Sequence, residues 1–398
     1  MKKSSFAAAL CLIFIFLIFI LCFLLIKDKP LYDDEPSHYT QIKLFLDRDA
    51  QIYPQISLIP GYHLLIATVA KLLHKTDIPF LRLISFTLSM ISVYMFFLLS
   101  RTIDKKFTLI KTFQYSFFPV LFPYLFMLYT EGLSLLLIFA SLYASIKKHY
   151  YFSGIFAIFS ILTRQTNVFF LLLILLLNYF SNPSKSPTYE FIIKNIYFLI
   201  GLFIFGIFVF FNRGIAIGTQ NVHPNLSFHT GNISFALFIF FFLFLPDNIK
   251  NLPKVINHIS QNKKILLPLL IFLLVGALTL VNTHPWNHDP AHIRNSILLF
   301  FTSSFWPKIV FFIFVIYSIL SISLIKLYKP SYYLLYPISM LLLIPIWLIE
   351  PRYLLPSLTL FILFKKSESK LIEYSTFGLY LLLSFTFYQG YLHQWFYL

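Results

Sequence analysis

This chain reads as an all-α polytopic membrane protein. It is 59% hydrophobic and 12% charged, with 50 phenylalanines among 398 residues, where a soluble domain carries roughly 25% charged residues. The apolar residues gather into helix-length runs and lack the dyad alternation of barrel strands. The lysines fall in the short loops on one side of those runs, the positive-inside pattern. No Gly-, Ser- or charge-rich linker and no fixed-period repeat divides the chain, so residues 1–398 are expected to form one integral membrane domain.

Taken in order, the first apolar run, 6–26, follows Lys2 and Lys3. It is too long for a typical signal-peptide core and no small-residue cleavage site follows, which predicts a retained transmembrane helix. Cys11 and Cys22 lie three turns apart on that helix and cannot bridge. Residues 27–77 form an extracytoplasmic loop. Within it Asp34-Glu35-Pro36 starts a helix, with an acidic cap, an acid at the positive end of the dipole and proline in the first turn. That helix runs to about Asp47 and sets Asp34 and His38 four residues apart. The apolar stretch 56–73 contains Pro60-Gly61 and is expected to lie in the membrane interface, because a span there would invert every later loop.

Further spans are expected near 78–100, 112–128, 132–146, 150–163, 168–180, 191–212, 232–248, 265–282, 309–326, 332–350, 353–364 and 371–390. They give a bundle of about 11–13 transmembrane helices. With the N-terminus cytoplasmic, the loops holding Lys105, Lys106 and Lys111, Lys147 and Lys148, Lys185 and Lys194, Lys250 to Lys264, Lys326 and Lys329, and Lys365 to Lys370 share one side. The net charge of +16 is thus dispersed between spans, which sets aside nucleic acid as a partner.

Six polar motifs occupy the opposite side: Asp33-Asp34-Glu35-Pro36-Ser37-His38, Tyr129-Thr130-Glu131, Arg164-Gln165-Thr166-Asn167, Asn212-Arg213-Gly214 running to His223-Pro224, His284-Pro285-Trp286-Asn287-His288-Asp289, and Glu350-Pro351-Arg352-Tyr353. The three consecutive acids suit a general base, because burial at an apolar boundary raises a carboxylate's pKa. An acidic helix start facing water is the plain alternative. Arg164 lies between two apolar segments, where an arginine is costly and usually paired; an anion such as phosphate fits its fork. Glu131 is placed to orient Arg164. Glu350 lies two residues from Arg352, whose direction the Glu-Pro-Arg-Tyr turn fixes. His284, His288, Asp289 and His292 resemble metal ligands, but Pro290 interrupts the spacing and no cysteine accompanies them, so hydrogen bonding to phosphate or sugar is the expectation. Asp47-Arg48-Asp49 has no nucleotide fold around it. No P-loop, GxGxxG or serine-nucleophile signature is present.

At these residues the chain resembles a known family within the GT-C superfamily of polyprenyl-phosphate-sugar-dependent glycosyltransferases. The closest resemblance is to the dolichyl-phosphate-glucose α-1,2-glucosyltransferases of N-glycan precursor assembly. Their Asp-Glu-x-x-His motif is matched by Asp34-Glu35-Pro36-Ser37-His38, and their Thr-x-Pro-Gly-Leu-Tyr stretch resembles Ser57-Leu58-Ile59-Pro60-Gly61-Tyr62. A Tyr-Tyr-Thr-acid segment is similar to Leu128-Tyr129-Thr130-Glu131. Arg-Gln-Thr-Asn is intact at Arg164-Gln165-Thr166-Asn167. An Asn-Gly turn with a later histidine is similar to Asn212-Arg213-Gly214 with Gly218 and His223. Glu350-Pro351-Arg352-Tyr353-Leu354-Leu355-Pro356 matches Glu-x-Arg-Tyr-x-x-x-Pro with one residue fewer before the proline. Asp289-Pro290-Ala291-His292-Ile293 departs from Asp-Asn-Arg-His-Tyr, with the arginine displaced to Arg294, and the large cytoplasmic loop of the eukaryotic members is missing.

The resemblance implies an inverting transfer of a hexose, glucose by analogy, from a polyprenyl-phosphate-linked donor to a lipid-linked or surface glycan on the extracytoplasmic face. Asp34 is the expected base, with Glu35 orienting it or sharing the role. Arg164, Arg294 and Arg352, with His38 and His292, are expected to hold donor or phosphate. Asp33, Glu131, Gln165, Asn167, Asp289, Glu350 and Tyr353 support them. No metal or other cofactor is expected, since arginines replace the cation. Composition favours a bacterial cytoplasmic membrane with a periplasmic site, against an ER membrane with a lumenal one. A lipid-linked sugar transporter is the rival reading; it predicts internal repeats, and none is seen.

Overall fold

The computed structural model describes residues 2–181, 188–218 and 228–398. Lys185, His223 and Pro224 lie outside the described residues. Eighteen α-helices, joined by short 3₁₀ turns, build the rest, and the only β-type pairings among the described residues are isolated bridges, His292 with Tyr397 and Leu327 with Lys365.

Helix α1 (Lys2–Ile26) is followed by α2 (Glu35–Leu46) and α3 (Gly61–Leu72), the two helices expected in the first loop. Next come α4 (Ile78–Ile103), α5 (Thr108–Ser116), α6 (Glu131–Ile146), α7 (Tyr150–Thr163), α8 (Val168–Phe180), α9 (Thr188–Lys194) and α10 (Ile196–Asn212). The second half holds α11 (Gly231–Leu243), α12 (Leu245–Gln261), α13 (Leu266–Thr279), α14 (Ile293–Thr302), α15 (Phe305–Leu324), α16 (Leu335–Leu343), α17 (Leu355–Phe364) and α18 (Lys370–Leu392). The chain is an all-α integral membrane protein. By length and apolarity α4 and α15 cross a membrane unaided, and α11 with α12 qualifies only as a bent pair.

Four expected spans are broken, each for a local reason. The stretch 112–128 is helical only to Ser116; Pro119 and Pro123 deny it continuous helix hydrogen bonds, and a buried 3₁₀ turn, Pro123–Phe126, replaces the rest. The stretch 191–212 breaks at Asn195, whose Oδ1 accepts from Asn178 Nδ2 at 2.8 Å. The stretch 232–248 bends by 97° ahead of Pro246, and α12 leaves as an amphipathic helix carrying Lys250 and Lys254. The stretch 332–350 is helical from Leu335 to Leu343, ahead of Pro345. Helix α14 was not anticipated.

The core forms where small residues let helices approach. Helix α4 sets Ser89 against Gly132 of α6, while Ser85 Oγ donates to the Met127 carbonyl at 2.8 Å and Ser92 Oγ meets the Tyr115 hydroxyl of α5 at 2.8 Å. Between α6 and α7, Ser153 Oγ donates to the Ser141 carbonyl at 2.7 Å and Ser141 Oγ donates to the Ser153 carbonyl at 2.8 Å. Phe19 of α1 packs edge-on against Phe117, Phe122 and Phe126 of the broken segment.

Several helices run between two charged ends. Helix α4 carries Arg82 near its start and is followed by Asp104; α18 carries Glu373 at its start and Tyr391 at its finish. At one end the described residues of the six polar motifs gather around two adjoining cavities. At the other, Lys111 contacts Asp104 at 3.2 Å, and Lys365 contacts Asp247 at 2.8 Å and Glu373 at 3.1 Å.

Candidate active site

Arg82 organises the loop that presents the acids. Fully buried, it donates to Glu35 Oε1 at 2.9 Å and Oε2 at 2.5 Å, and to the carbonyls of Ile26, Lys29 and Pro30 at 3.0, 2.7 and 3.2 Å. Glu35 also accepts from the backbone amides of Tyr32 at 3.2 Å and Leu128 at 2.9 Å. Both its oxygens are therefore occupied, and Glu35, expected to share the base role, is turned away from the cavity. The competing demand is structural: an arginine near the start of an apolar helix needs a fully hydrogen-bonded counterion.

With Glu35 anchored inward, Asp33 and Asp34 face a cavity of about 450 Å³. Asp33 adopts a left-handed backbone, φ 57, which a short polar residue tolerates. Its carboxylate accepts from the Tyr391 hydroxyl at 3.0 Å and lies 3.5 Å from His292 Nε2. The Asp34 amide donates to the Tyr129 hydroxyl at 2.9 Å, and its carboxylate receives Arg352 Nη2 at 2.7 Å. Half of the Asp34 side chain, 49%, stays open to the cavity. Crowding by protein atoms pushes this carboxyl up, but the Arg352 guanidinium, with His38 and Arg294, overrides it and holds the group at about 2.

The arginines arrive from three further segments. Arg164 follows α7 and pairs with Glu131 at the start of α6. Arg294, in the first turn of α14, pairs with Glu350 and donates to the Leu398 carbonyl at 2.8 Å. Arg352 reaches Glu350 as well, at 3.2 Å, and lies over the rings of Tyr124 and Tyr129 at 5.5 and 5.6 Å. Arg294, Glu350, Arg352 and Asp34 thus form an alternating chain of charge. Burial pushes the Glu350 carboxyl up, and its two arginines bring it below its ordinary value.

Of the residues expected at the site, Asp33, Asp34, His38, Glu131, Arg164, Asp289, His292, Arg294, Glu350, Arg352 and Tyr353 all line this one cavity. Three do not. Glu35 is buried behind it. Gln165 instead ties loops together, its Oε1 accepting from the Ile59 amide at 3.1 Å and its Nε2 donating to the Ser57 carbonyl at 2.6 Å. Asn167 donates to Ser134 Oγ at 2.8 Å and the Ser160 carbonyl at 2.9 Å inside the helix pack. His292 lies 3.5 Å from Asp289, His288 faces the Asn282 carbonyl at 2.9 Å, and no metal-binding group of three or more His, Cys, Asp or Glu occurs among the described residues.

Among the residues that escaped the sequence reading are Arg82, His63, Tyr397 and Gln55, which lines the cavity and accepts from Ser37 Oγ at 3.0 Å. Arg82 carried a usable signal, a lone cation in an apolar run. Tyr397 carried none. It reaches the cavity wall because its amide donates to the Ala291 carbonyl and its carbonyl accepts from the Ile293 amide, each at 2.9 Å, and its ring packs on Tyr32 and His292.

A second cavity of about 310 Å³ adjoins the first through Ser57, Leu58 and Tyr353. Its walls are mainly apolar, with Phe169, Phe205, Val209, Leu342 and Trp347, and Arg213 at its edge. A polar cavity rich in arginine thus opens beside an apolar one, an arrangement suited to a ligand with an anionic head and a hydrocarbon tail.

No curated protein matches the chain. Over residues 28–188 it matches the model of the DIE2/ALG10 family, which bears out the resemblance to the dolichyl-phosphate-glucose α-1,2-glucosyltransferases and points to a glycosyltransferase of lipid-linked oligosaccharide assembly.

Proposed function

We propose that this protein is an inverting, membrane-embedded glucosyltransferase that moves glucose from a polyprenyl-phosphate donor to a lipid-linked glycan. The observation that carries the proposal is the Asp34–Arg352 pair at 2.7 Å, set in a cavity with two further arginines and beside an apolar one. The donor's phosphate sits among Arg352, Arg294 and Arg164, and its first isoprene units lie in the apolar cavity. The matched family implies a dolichol-linked donor and a lipid-linked oligosaccharide acceptor.

The acceptor hydroxyl oxygen attacks the anomeric carbon from the face opposite the phosphate. The new carbon–oxygen bond forms as the bond to the phosphate oxygen breaks, and that bonding pair leaves with the phosphate. The hydroxyl proton passes to Asp34. The arginines stabilise the charge growing on the leaving phosphate, the role for preorganised cations in a secluded site. The donor also prepares the base. When its phosphate takes up Arg352, Asp34 loses the cation that holds its carboxyl at about 2, and its affinity for a proton rises. The site faces away from the cytoplasm, in the periplasm of a bacterial cytoplasmic membrane or the lumen of the ER.

The test is transfer of radiolabelled glucose from synthetic polyprenyl-phosphate glucose to a membrane-lipid extract, comparing the natural protein with Asp34→Asn at equal expression. A loss of about 100-fold or more is expected of a general base. Equal transfer by both proteins would move the base to Asp33. No transfer by the natural protein with any donor sugar would favour a lipid-sugar transporter.

A further inference from the structure

The apolar cavity has an open side and a cation at its rim, and the proposed chemistry uses neither. Phe205 and Val209 of α10 form one wall, and Leu342 of α16 with Trp347 beyond it forms another. Helices α10 and α16 each pack on α8 and scarcely touch one another, so the cavity fills a cleft between them. The flanks of that cleft carry apolar side chains that no protein covers. Phe210 and Phe211 at the end of α10 are 78% and 77% exposed, and Met340 and Leu341 on α16 are half exposed. In an integral membrane protein such faces meet lipid, so the cleft opens sideways to the hydrocarbon.

Arg213 follows α10 at the end where the two cavities adjoin. Its backbone is held firmly. The Arg213 amide donates to the Val209 carbonyl and closes α10. Asn212 Nδ2 donates to the Gly214 and Ala216 carbonyls at 2.8 Å each. Gln165 Nε2 donates to the Ile215 carbonyl, and the Ile217 amide to the Ser57 carbonyl, each at 3.1 Å. The side chain is exposed. Arg164, Arg294 and Arg352 each meet a carboxylate; among the described residues, which include every Asp and Glu of the chain, Arg213 meets none. A cation without a counter-charge at an apolar mouth attracts anions, and the guanidinium fork fits phosphate.

We propose that the cleft between α10 and α16 is a lateral entry for a single-chain lipid phosphate, and that Arg213 is the first cation its phosphate meets. The phosphate stops at Arg213, then passes Tyr353, which borders both cavities, to reach Arg352, and its chain follows into the cleft. That the lipid is a polyprenyl phosphate rests on the transferase reading. The entry itself rests on the cleft and on Arg213.

The experiment follows polyprenyl phosphate, fluorescent at the far end of its chain, as it binds the full-length protein in phosphatidylcholine nanodiscs. Arg213→Gly is the informative variant, because Arg213 has φ 54, a conformation that glycine adopts freely at a helix end. Its thermal midpoint should hold or rise. Association should slow about tenfold, the low end of what a steering charge contributes, and added salt should slow the natural protein more than the variant. Arg213→Lys should keep most of the natural rate. Polyprenol, which lacks the phosphate, should bind the natural protein and Arg213→Gly alike. Val209→Trp narrows the cleft and should slow polyprenol and polyprenyl phosphate together. In the transfer assay Arg213→Gly should lower kcat/KM about tenfold with kcat unchanged, since the phosphate has left Arg213 before the sugar bond breaks. An arginine that merely snorkels to water from a helix end would leave association unchanged when removed, and that result overturns the proposal. Equal competition by phosphatidylglycerol also overturns it, by making Arg213 a contact for ordinary headgroups. Should Val209→Trp fail to fold, Arg213→Gly still decides. If the lipid binds as expected but no sugar is transferred, the entry stands and the transferase reading falls. Transfer by Arg213→Gly at the natural kcat/KM leaves that reading standing and removes the entry.

Discussion

Helix α17 begins and ends beside buried charges. Where it begins, Arg352 divides itself between Asp34 and Glu350 at the wall of a cavity of about 450 Å³. Where it ends, Lys365 divides itself between Asp247 and Glu373, and the neighbouring cleft encloses about 20 Å³. The second cluster is filled by its own side chains. Lys111 donates to the Lys365 carbonyl at 2.6 Å, and Gln114 donates to Glu373 at 2.8 Å. Buried ion pairs alone therefore do not mark an active site in this molecule. What marks it is space next to them, and an acid such as Asp34 with half its side chain uncovered.

The comparison breaks or sharpens with four variants. Lys365→Met leaves Asp247 and Glu373 buried without their cation and should lower unfolding stability by about 3–5 kcal/mol. Transfer per folded molecule should be unchanged; a loss of turnover in the surviving protein would mean that the two ends communicate. Asp34→Asn should reverse the pattern, with transfer down about 100-fold, or roughly 2.7 kcal/mol in the barrier, and the thermal midpoint unmoved. Arg352→Gln should show in the pH profile. Without the guanidinium, crowding loses its strongest counterweight and the Asp34 pKa rises above the present value of about 2. A base works only when deprotonated, so the acid limb of kcat/KM should move to higher pH; an unmoved limb would take Asp34 out of the base role. Lys250→Ala removes an ion pair with Glu368 in which both side chains are partly exposed. Surface pairs are worth about 0–1 kcal/mol, so stability and transfer should both stay near their natural values.

The polar end was far more legible in the sequence than the other. Its acids and arginines interrupt apolar runs, so Arg164, Arg352 and Asp34 stood out against a background that makes charge costly. Lys111 and Lys365 did not, because a lysine between spans reads as a solvated topological marker, and only the fold shows both to be buried. Glu35 misled for the opposite reason. It adjoins Asp34 in sequence, but one helical residue turns it through about 100°, into the reach of Arg82. Continuous apolarity in 112–128 hid the break, since hydropathy does not register that Pro119 and Pro123 remove backbone donors. Tyr397 reached the cavity by backbone pairing alone, for which its side chain gave no cue.

Besides α1, six apolar helices among the described residues run for 10–17 residues, and at about 1.5 Å per residue they measure roughly 15–26 Å. The hydrocarbon layer of a bilayer is about 30 Å thick. Membranes answer such a shortfall by thinning around the protein. The broken helices around Glu131, Arg164 and Arg352 are short enough for a bilayer thinned in this way to bring its surface close to the arginines. Under the proposed function, a phosphate tethered to a polyprenyl chain would then have only a short descent to make, because the membrane surface would come down to meet it.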